Sequence, residues 1–145
     1  MSLHVFVDTN VFIDFFADRR PYSFEAAQLF DYALNKSIKL YTSAVSYNNM
    51  YYILRQSNSH QATLKMLSEL NEWTETVDVS SDVIKKALKS EFKDFEDAIQ
   101  YHCAKSLNKI DFIVTRNTKD FKTSSLGILS PKEALALMNN RLEKN

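Results

Sequence analysis

Glycine is almost absent: Gly127 is the only one in 145 residues. That scarcity excludes both the P-loop and the GxGxxG dinucleotide fingerprint, because each uses several glycines to bring backbone close to a phosphate. Cysteine is equally scarce. Cys103 alone cannot form an intramolecular disulfide, and its isolation fits a reducing compartment, so a cytoplasmic protein is expected. Neither sign of charge is in excess, with Lys+Arg at 18 and Asp+Glu at 18. Without a global basic field, a polyanion must be gripped by a local patch or through metal ions. No apolar run approaches the ~20 residues of a membrane span. No basic stretch followed by a long apolar one opens the chain, so neither membrane insertion nor a signal peptide is expected. What is abundant is apolar content, 45% of residues, in a chain long enough for one cored domain spanning residues 1–145.

The chain is organised around its start, Leu3-His4-Val5-Phe6-Val7-Asp8-Thr9-Asn10. A β-branched and aromatic run too short for a helix ends in Asp-Thr-Asn, and Val11, Phe12, Phe15 and Phe16 then follow at helical period. This reads as a buried central strand whose tip carries a carboxylate, the position where ligands bind in open parallel sheets.

Helices are expected over about 10–17, 22–34, 43–56, 60–72, 81–88, 94–107 and from Pro131, where proline suits the first helical position. Strands are expected over 38–42, 76–79, 110–114 and 126–129, and residues 141–145 are expected to fray. Expected inward stripes are Val45, Asn49, Tyr52, Ile53 and Gln56 on the third helix, and Leu64, Leu67, Leu70 and Trp73 on the fourth. Phe95, Ile99, Cys103 and Leu107 form the stripe of the sixth, and Ala134, Leu135 and Leu137 that of the last. Alternating strands and helices imply an α/β protein with a mostly parallel sheet.

Three stretches place acids where strands end or helices begin: Asp8, the run Asp94-Phe95-Glu96-Asp97, and Asp120 in Thr115-Arg116-Asn117-Thr118-Lys119-Asp120-Phe121. Each has an ordinary explanation. Asp8 or Asn10 would cap a helix. Asp94 would cap the next one, with Asp97 complementing its dipole and Glu96 solvated. Asp120 would be a turn aspartate. Taken together, three acidic tips gathered at one sheet edge would make a divalent-metal site, since clustered carboxylates repel unless a cation joins them. A hard cation such as Mg²⁺ prefers oxygen ligands, and the chemistry implied is metal-assisted hydrolysis of a phosphate ester. Asp97 ranks as ligand and Asp94 as cap or supporting residue. Thr115 and Asn117 offer neutral hydrogen bonds, while Arg116 and Lys119 would hold phosphate or neutralise the acids. His4, His60 and His102 lack ligand spacing with one another or with Cys103, which argues against zinc. Tyr47, Tyr51, Tyr52 and Tyr101 would stack bases or form core or dimer interface.

Val7-Asp8-Thr9-Asn10-Val11, Asp94-Phe95-Glu96-Asp97-Ala98 and Thr115-Arg116-Asn117-Thr118-Lys119-Asp120-Phe121, in this order, resemble the PIN-domain family, which includes VapC-like toxin ribonucleases. The resemblance covers nearly the whole chain. It implies a three-layer α/β/α fold with a central parallel sheet, and Mg²⁺- or Mn²⁺-dependent endonuclease activity on RNA leaving a 5′-phosphate. It also implies a homodimer, with the aromatic-rich third and fourth helices as interface, and a small antitoxin protein as partner. Position by position, Asp8, Asp97 and Asp120 match the family's acidic metal ligands, and Asn117 matches a polar position beside the site. One position departs: many relatives carry glutamate where this chain has Asn49. An amide ligates through its carbonyl oxygen but brings no charge, so weaker metal binding is expected, with Asp94 a candidate for the missing charge.

Two rival readings remain at this level. An aspartyl-phosphate enzyme of the haloacid-dehalogenase type also has an Asp after its first strand, but its second acid would fall where Asn10 stands. A catalytically weak or inactive binding module, acting through RNA or a protein partner, fits Asn49 and the balanced charge.

Overall fold

The computed structural model describes residues 2–121 and 124–143. The first strand, β1 (Leu3–Val7), passes directly into α1 (Thr9–Phe16), and α2 (Tyr22–Leu34) follows. Next come β2 (Ile38–Ser43), α3 (Ala44–Leu54), α4 (His60–Trp73), β3 (Thr74–Val77), α5 (Ser81–Leu88) and α6 (Phe95–Ser106). The chain continues through β4 (Phe112–Val114), a 3₁₀ turn (Thr118–Phe121), β5 (Gly127–Leu129) and α7 (Pro131–Glu143). The strands form one sheet in the order β3-β2-β1-β4-β5, and every pairing is parallel. This is the expected three-layer α/β/α arrangement. No described helix is long and apolar enough to cross a membrane.

Period-two alternation in β1 explains both hydrophobic layers. Val5 and Val7 join Leu40, Phe112 and Val114 against α1, α2, α3, α4 and α7. Phe6, with Tyr41 and Ile113, faces α5 and α6 through Val83, Ala87, Ala98 and Cys103. Strands covered on both faces read as continuous apolar runs. Each fully buried Val or Phe contributes about 1.5–3 kcal/mol by the area removed from water. Because β2 lies on one side of β1 and β4 on the other, the strand order reverses at β1. The crevice at that reversal, beyond the strands' C-terminal ends, is where an open sheet receives ligands.

Several expectations are corrected. The third strand starts two residues early, at Thr74, with no loop after α4. The Thr74 hydroxyl donates to the Leu70 carbonyl at 2.8 Å, satisfying the helix end while the backbone turns extended. The buried face of α3 is Ser46, Met50 and Leu54; Val45, Asn49 and Ile53 are half-buried, and Tyr52 and Gln56 are exposed. In α4, Thr63 is buried and Leu64 exposed, since the Thr63 hydroxyl is satisfied by the Ser59 carbonyl at 2.8 Å. Phe95 is 48% exposed at the start of α6. Met138, not Leu137, completes the buried face of α7. That helix continues to Glu143 rather than fraying from Arg141, and residues 144–145 lie outside the described residues.

Candidate active site

β1 and β4 run in register, with Val7 opposite Val114. One residue further on, the Asp8 N–H donates to the Val114 carbonyl at 2.9 Å. This pairing brings Asp8 beside Thr115, and the Thr115 hydroxyl donates to Asp8 Oδ2 at 2.9 Å. Gln100 Nε2, from α6, donates to Asp8 Oδ1 at 2.9 Å. The amide orientation is set by its other end, where Gln100 Oε1 accepts from the Thr9 N–H at 3.1 Å. Asp8 is 2% exposed. It sits at the N-cap position of α1, yet its side chain makes no capping hydrogen bond, and Asn10 lies inside the helix. Burial raises the Asp8 pKa above the usual carboxylate range, while Gln100, Thr115 and the Asn10 and Thr9 backbones pull it back.

Next to Asp8, which does not itself line it, opens a small pocket of about 140 Å³, lined by Thr9, Asn10, Asn49, Asp94, Glu96, Asp97, Asn117 and Asp120 among others. Asp94 is the N-cap of α6: its Oδ1 accepts from the Asp97 N–H at 3.0 Å. The ordinary reading of Asp94 therefore accounts for one of its oxygens, with its charge still at the pocket. Asp97 lies half-buried one turn in. Its carboxyl is pushed up to about 7, first by burial and then by the charges of Asp8, Asp94, Asp120 and Glu96. The fold therefore gathers the distant acids into one field. Asp120, exposed on the 3₁₀ turn, is tethered by its N–H to the Asn117 carbonyl at 2.9 Å. Asn117 in turn donates its N–H to the Thr115 hydroxyl at 3.1 Å.

Three placements revise the expectations. Glu96 is not a solvated residue: it is half-buried and lines the pocket with Thr9 and Asn49, whose side chains lie near enough to favour its charged form. Burial raises its pKa, with Asp8 and Asp94 adding to the shift. Asn49, half-buried, lines the pocket rather than the core. Arg116 does not serve the acids of the pocket. It forks onto the buried Asp14, with Nε to Oδ2 at 2.6 Å and a terminal nitrogen to Oδ1 at 3.0 Å, and it covers the Tyr22 ring at 4.0 Å. Lys119 is exposed and makes no ion pair among the described residues. Gln100 escaped the sequence reading, although its place three residues after Asp97 puts both on one face of α6.

The pocket lining supplies carboxylate, amide and hydroxyl oxygens, the donor set of a hard divalent cation. Among the described residues, no three His, Cys, Asp or Glu side chains converge closely enough to hold an ion as they stand. Cys103 is fully buried, its thiol pushed up to about 11 by that burial, which suits a core residue.

The crowding of Asp97 has a measurable consequence in metal-free protein. Its folded-state pKa, about 7, lies above the ordinary 3.8. Between those values the folded chain binds more protons than the unfolded one, so stability falls as pH rises through this window. Melting curves at pH 4.5 and 7.5 are expected to show a larger loss for the wild type than for Asp97→Asn. Equal losses in the two proteins would contradict the crowding.

A family model described as PIN domain matches residues 4–119. Ribonuclease VapC1 of Aquifex aeolicus (strain VF5) is 28% identical over 137 residues, covering 91% of this chain and 93% of that protein. A toxin–antitoxin complex from Klebsiella pneumoniae contains a chain of similar fold, at TM-score 0.64 and 28% identity, with 88% of this chain and 97% of that one covered. DNA-bound VapBC from Salmonella typhimurium superimposes at TM-score 0.67 with 17% identity over 89% of this chain and 98% of that one, a likeness of fold.

Proposed function

This chain belongs to the PIN-domain family, and from that premise we propose that it is a metal-dependent endoribonuclease that hydrolyses RNA phosphodiesters as the toxin of a toxin–antitoxin pair. The observation that carries the reading is the crowding of Asp97, in the pocket, by four other acids that include the buried Asp8 beside it. The Aquifex ribonuclease and the toxin–antitoxin complex support the substrate class and an antitoxin partner. A cytoplasmic setting and a homodimer through α3 and α4, where Tyr52 and Leu64 are exposed, belong to the same reading.

Asp8, Asp97 and Asp120 would hold Mg²⁺ or Mn²⁺, after rotation of the more accessible Asp97 or Asp120 side chain. When bound, the ion supplies Lewis-acid polarisation of the phosphate and lowers the pKa of an attacking water. The chain's own groups do the positioning. Gln100 and Thr115 fix both Asp8 oxygens, so the carboxylate cannot turn away. Asn117 ties the Asp120 turn to Thr115. Lys119, exposed beside Asp120, would offset charge developing on the phosphate, since Arg116 is bonded to Asp14. Cleavage would leave a 5′-phosphate. Incubating the pure protein with a pool of RNAs, in Mn²⁺ or in EDTA, tests the reading: cleavage in Mn²⁺ alone is expected, and intact RNA in both would refute it.

Asn49 favours a second reading, a weakly catalytic or inactive binding module, because it removes a charge that many relatives carry. Glu96, which lines the same pocket as Asn49, answers that deficit with a carboxylate from α6. Glu96→Gln is therefore expected to weaken Mn²⁺ binding about tenfold, the scale of a lost supporting group. Adding Asn49→Glu to that variant should restore it. Calorimetric titrations that superimpose for Glu96→Gln and wild type would return the deficit to Asn49 and favour the binding module.

A further inference from the structure

A second cavity, about 330 Å³, opens between the end of α5 and the middle of α6. Lys86 and Lys89 line it from α5 and its C-terminal end, Tyr101 and His102 from α6, and Phe92 from the loop joining the two helices. We propose that this basic, aromatic-walled cavity is a subsite for the single-stranded RNA segment flanking the scissile phosphate. The proposal rests on the ribonuclease reading and extends it to residues outside the acidic pocket.

Three connections join the two sites. Asp97 and Tyr101 are one turn apart on α6, about 6 Å along its axis. Asp94 follows Phe92 by two residues in the loop before that helix. Phe121, adjacent to Asp120, packs its ring on Phe92 at 5.6 Å between centroids. A strand whose phosphate lies among the acids therefore has this cavity as an immediate neighbour.

Its chemistry is what the acidic pocket lacks. The chain carries no net charge, and the acids at the cleavage centre repel phosphate, so affinity for a polyanion must come from a local basic patch. Positive charge converges here. The His102 pKa is lowered by burial first and then by Lys86 and Lys105, with Asp82 opposing. Two carboxylates work against the patch. Asp82 pairs with Lys86 at 3.0 Å, an exposed i,i+4 contact of small worth that a phosphate can displace, and Glu91 lines the cavity as an exposed residue. The walls suit an unpaired nucleotide. Phe92 is half-buried and offers part of its ring to a base, while Tyr101, 6% exposed and 5.1 Å from it between ring centroids, backs it from the interior. In a duplex the base faces are stacked and out of reach.

The test compares steady-state cleavage of a labelled single-stranded RNA, in Mn²⁺, by wild type and by Lys86→Gln/Lys89→Gln. The variant is expected to raise KM about tenfold with kcat within about twofold, and to reduce the slope of log KM against log salt by about 1.4, at about 0.7 per phosphate contact. Lys36→Gln/Lys132→Gln, equal in charge change but just after α2 and on α7, should match the wild type. Wild-type KM and salt slope in Lys86→Gln/Lys89→Gln would overturn the subsite and leave the ribonuclease reading intact. Equal losses in both double variants would also overturn it, exposing a net-charge effect. A wild type that neither binds nor cuts RNA would remove both readings together.

Discussion

Asp8→Asn is expected to lower Mn²⁺-dependent RNA cleavage by at least about a hundredfold, the scale on which one preorganised polar group at a reacting centre counts, while leaving the fold intact. The substitution keeps the side-chain volume. Gln100 Nε2 still finds an oxygen to donate to, and the Thr115 hydroxyl can turn to accept from the new amide. The Asp8 charge is held in a site that raises its pKa by burial, so a neutral amide relieves that desolvation. At neutral pH, thermal unfolding is expected at or above the wild-type temperature, with the sheet's circular dichroism unchanged. The combination decides the case: a structural aspartate would lose stability along with activity, and a functional one loses activity alone. Full cleavage by the mutant would remove Asp8 from the reaction.

Asp14→Ala should do the opposite, costing about 3–5 kcal/mol of stability, the penalty for leaving one partner of a buried pair uncompensated. Asp14 is 1% exposed and Arg116 27%. Arg116 holds both Asp14 oxygens, and Arg19 approaches Oδ1 at 3.6 Å. Without that carboxylate the guanidinium keeps its stacking on Tyr22 but loses both charged hydrogen bonds. The loss reaches the active site through the chain, because Arg116 lies between Thr115 and Asn117. Urea denaturation measures the effect. Asp14→Leu combined with Arg116→Met should recover most of the stability, since apolar replacement of both members of a buried pair is often neutral. A midpoint shift worth under about 1 kcal/mol for Asp14→Ala would show that the pair contributes little.

These two aspartates differ in how much of their role the sequence displayed. Asp8 stands at the end of an apolar run and before a helical one, a local pattern that marks a strand tip without reference to anything distant. Asp14 lies among phenylalanines in a short helix, and nothing near it announces a partner 102 residues away. Arg116 was legible as a cation near the acids, but which acid it would meet depended on how α1 and the β4 loop pack. Gln100 and Glu96 carry the same lesson. Each lies on a helix whose existence was clear, while the direction each faces followed from the angle at which α6 meets the sheet.

Residue order alone determined the succession of strands and helices, the centrality of the first strand and the exclusion of glycine-loop phosphate binding, because each depends on side-chain period or on backbone freedom over a few residues. Tertiary structure decided the rest: that α3 turns Asn49 to a pocket and Met50 to the core, that Glu96 lines that same pocket, and that Arg116 serves Asp14. A helical stripe is broad, and a few tens of degrees of rotation exchange its centre for its edge. The register of β1 with β4 and the seating of α6 on the sheet set that rotation, and they are properties of the packed layers together.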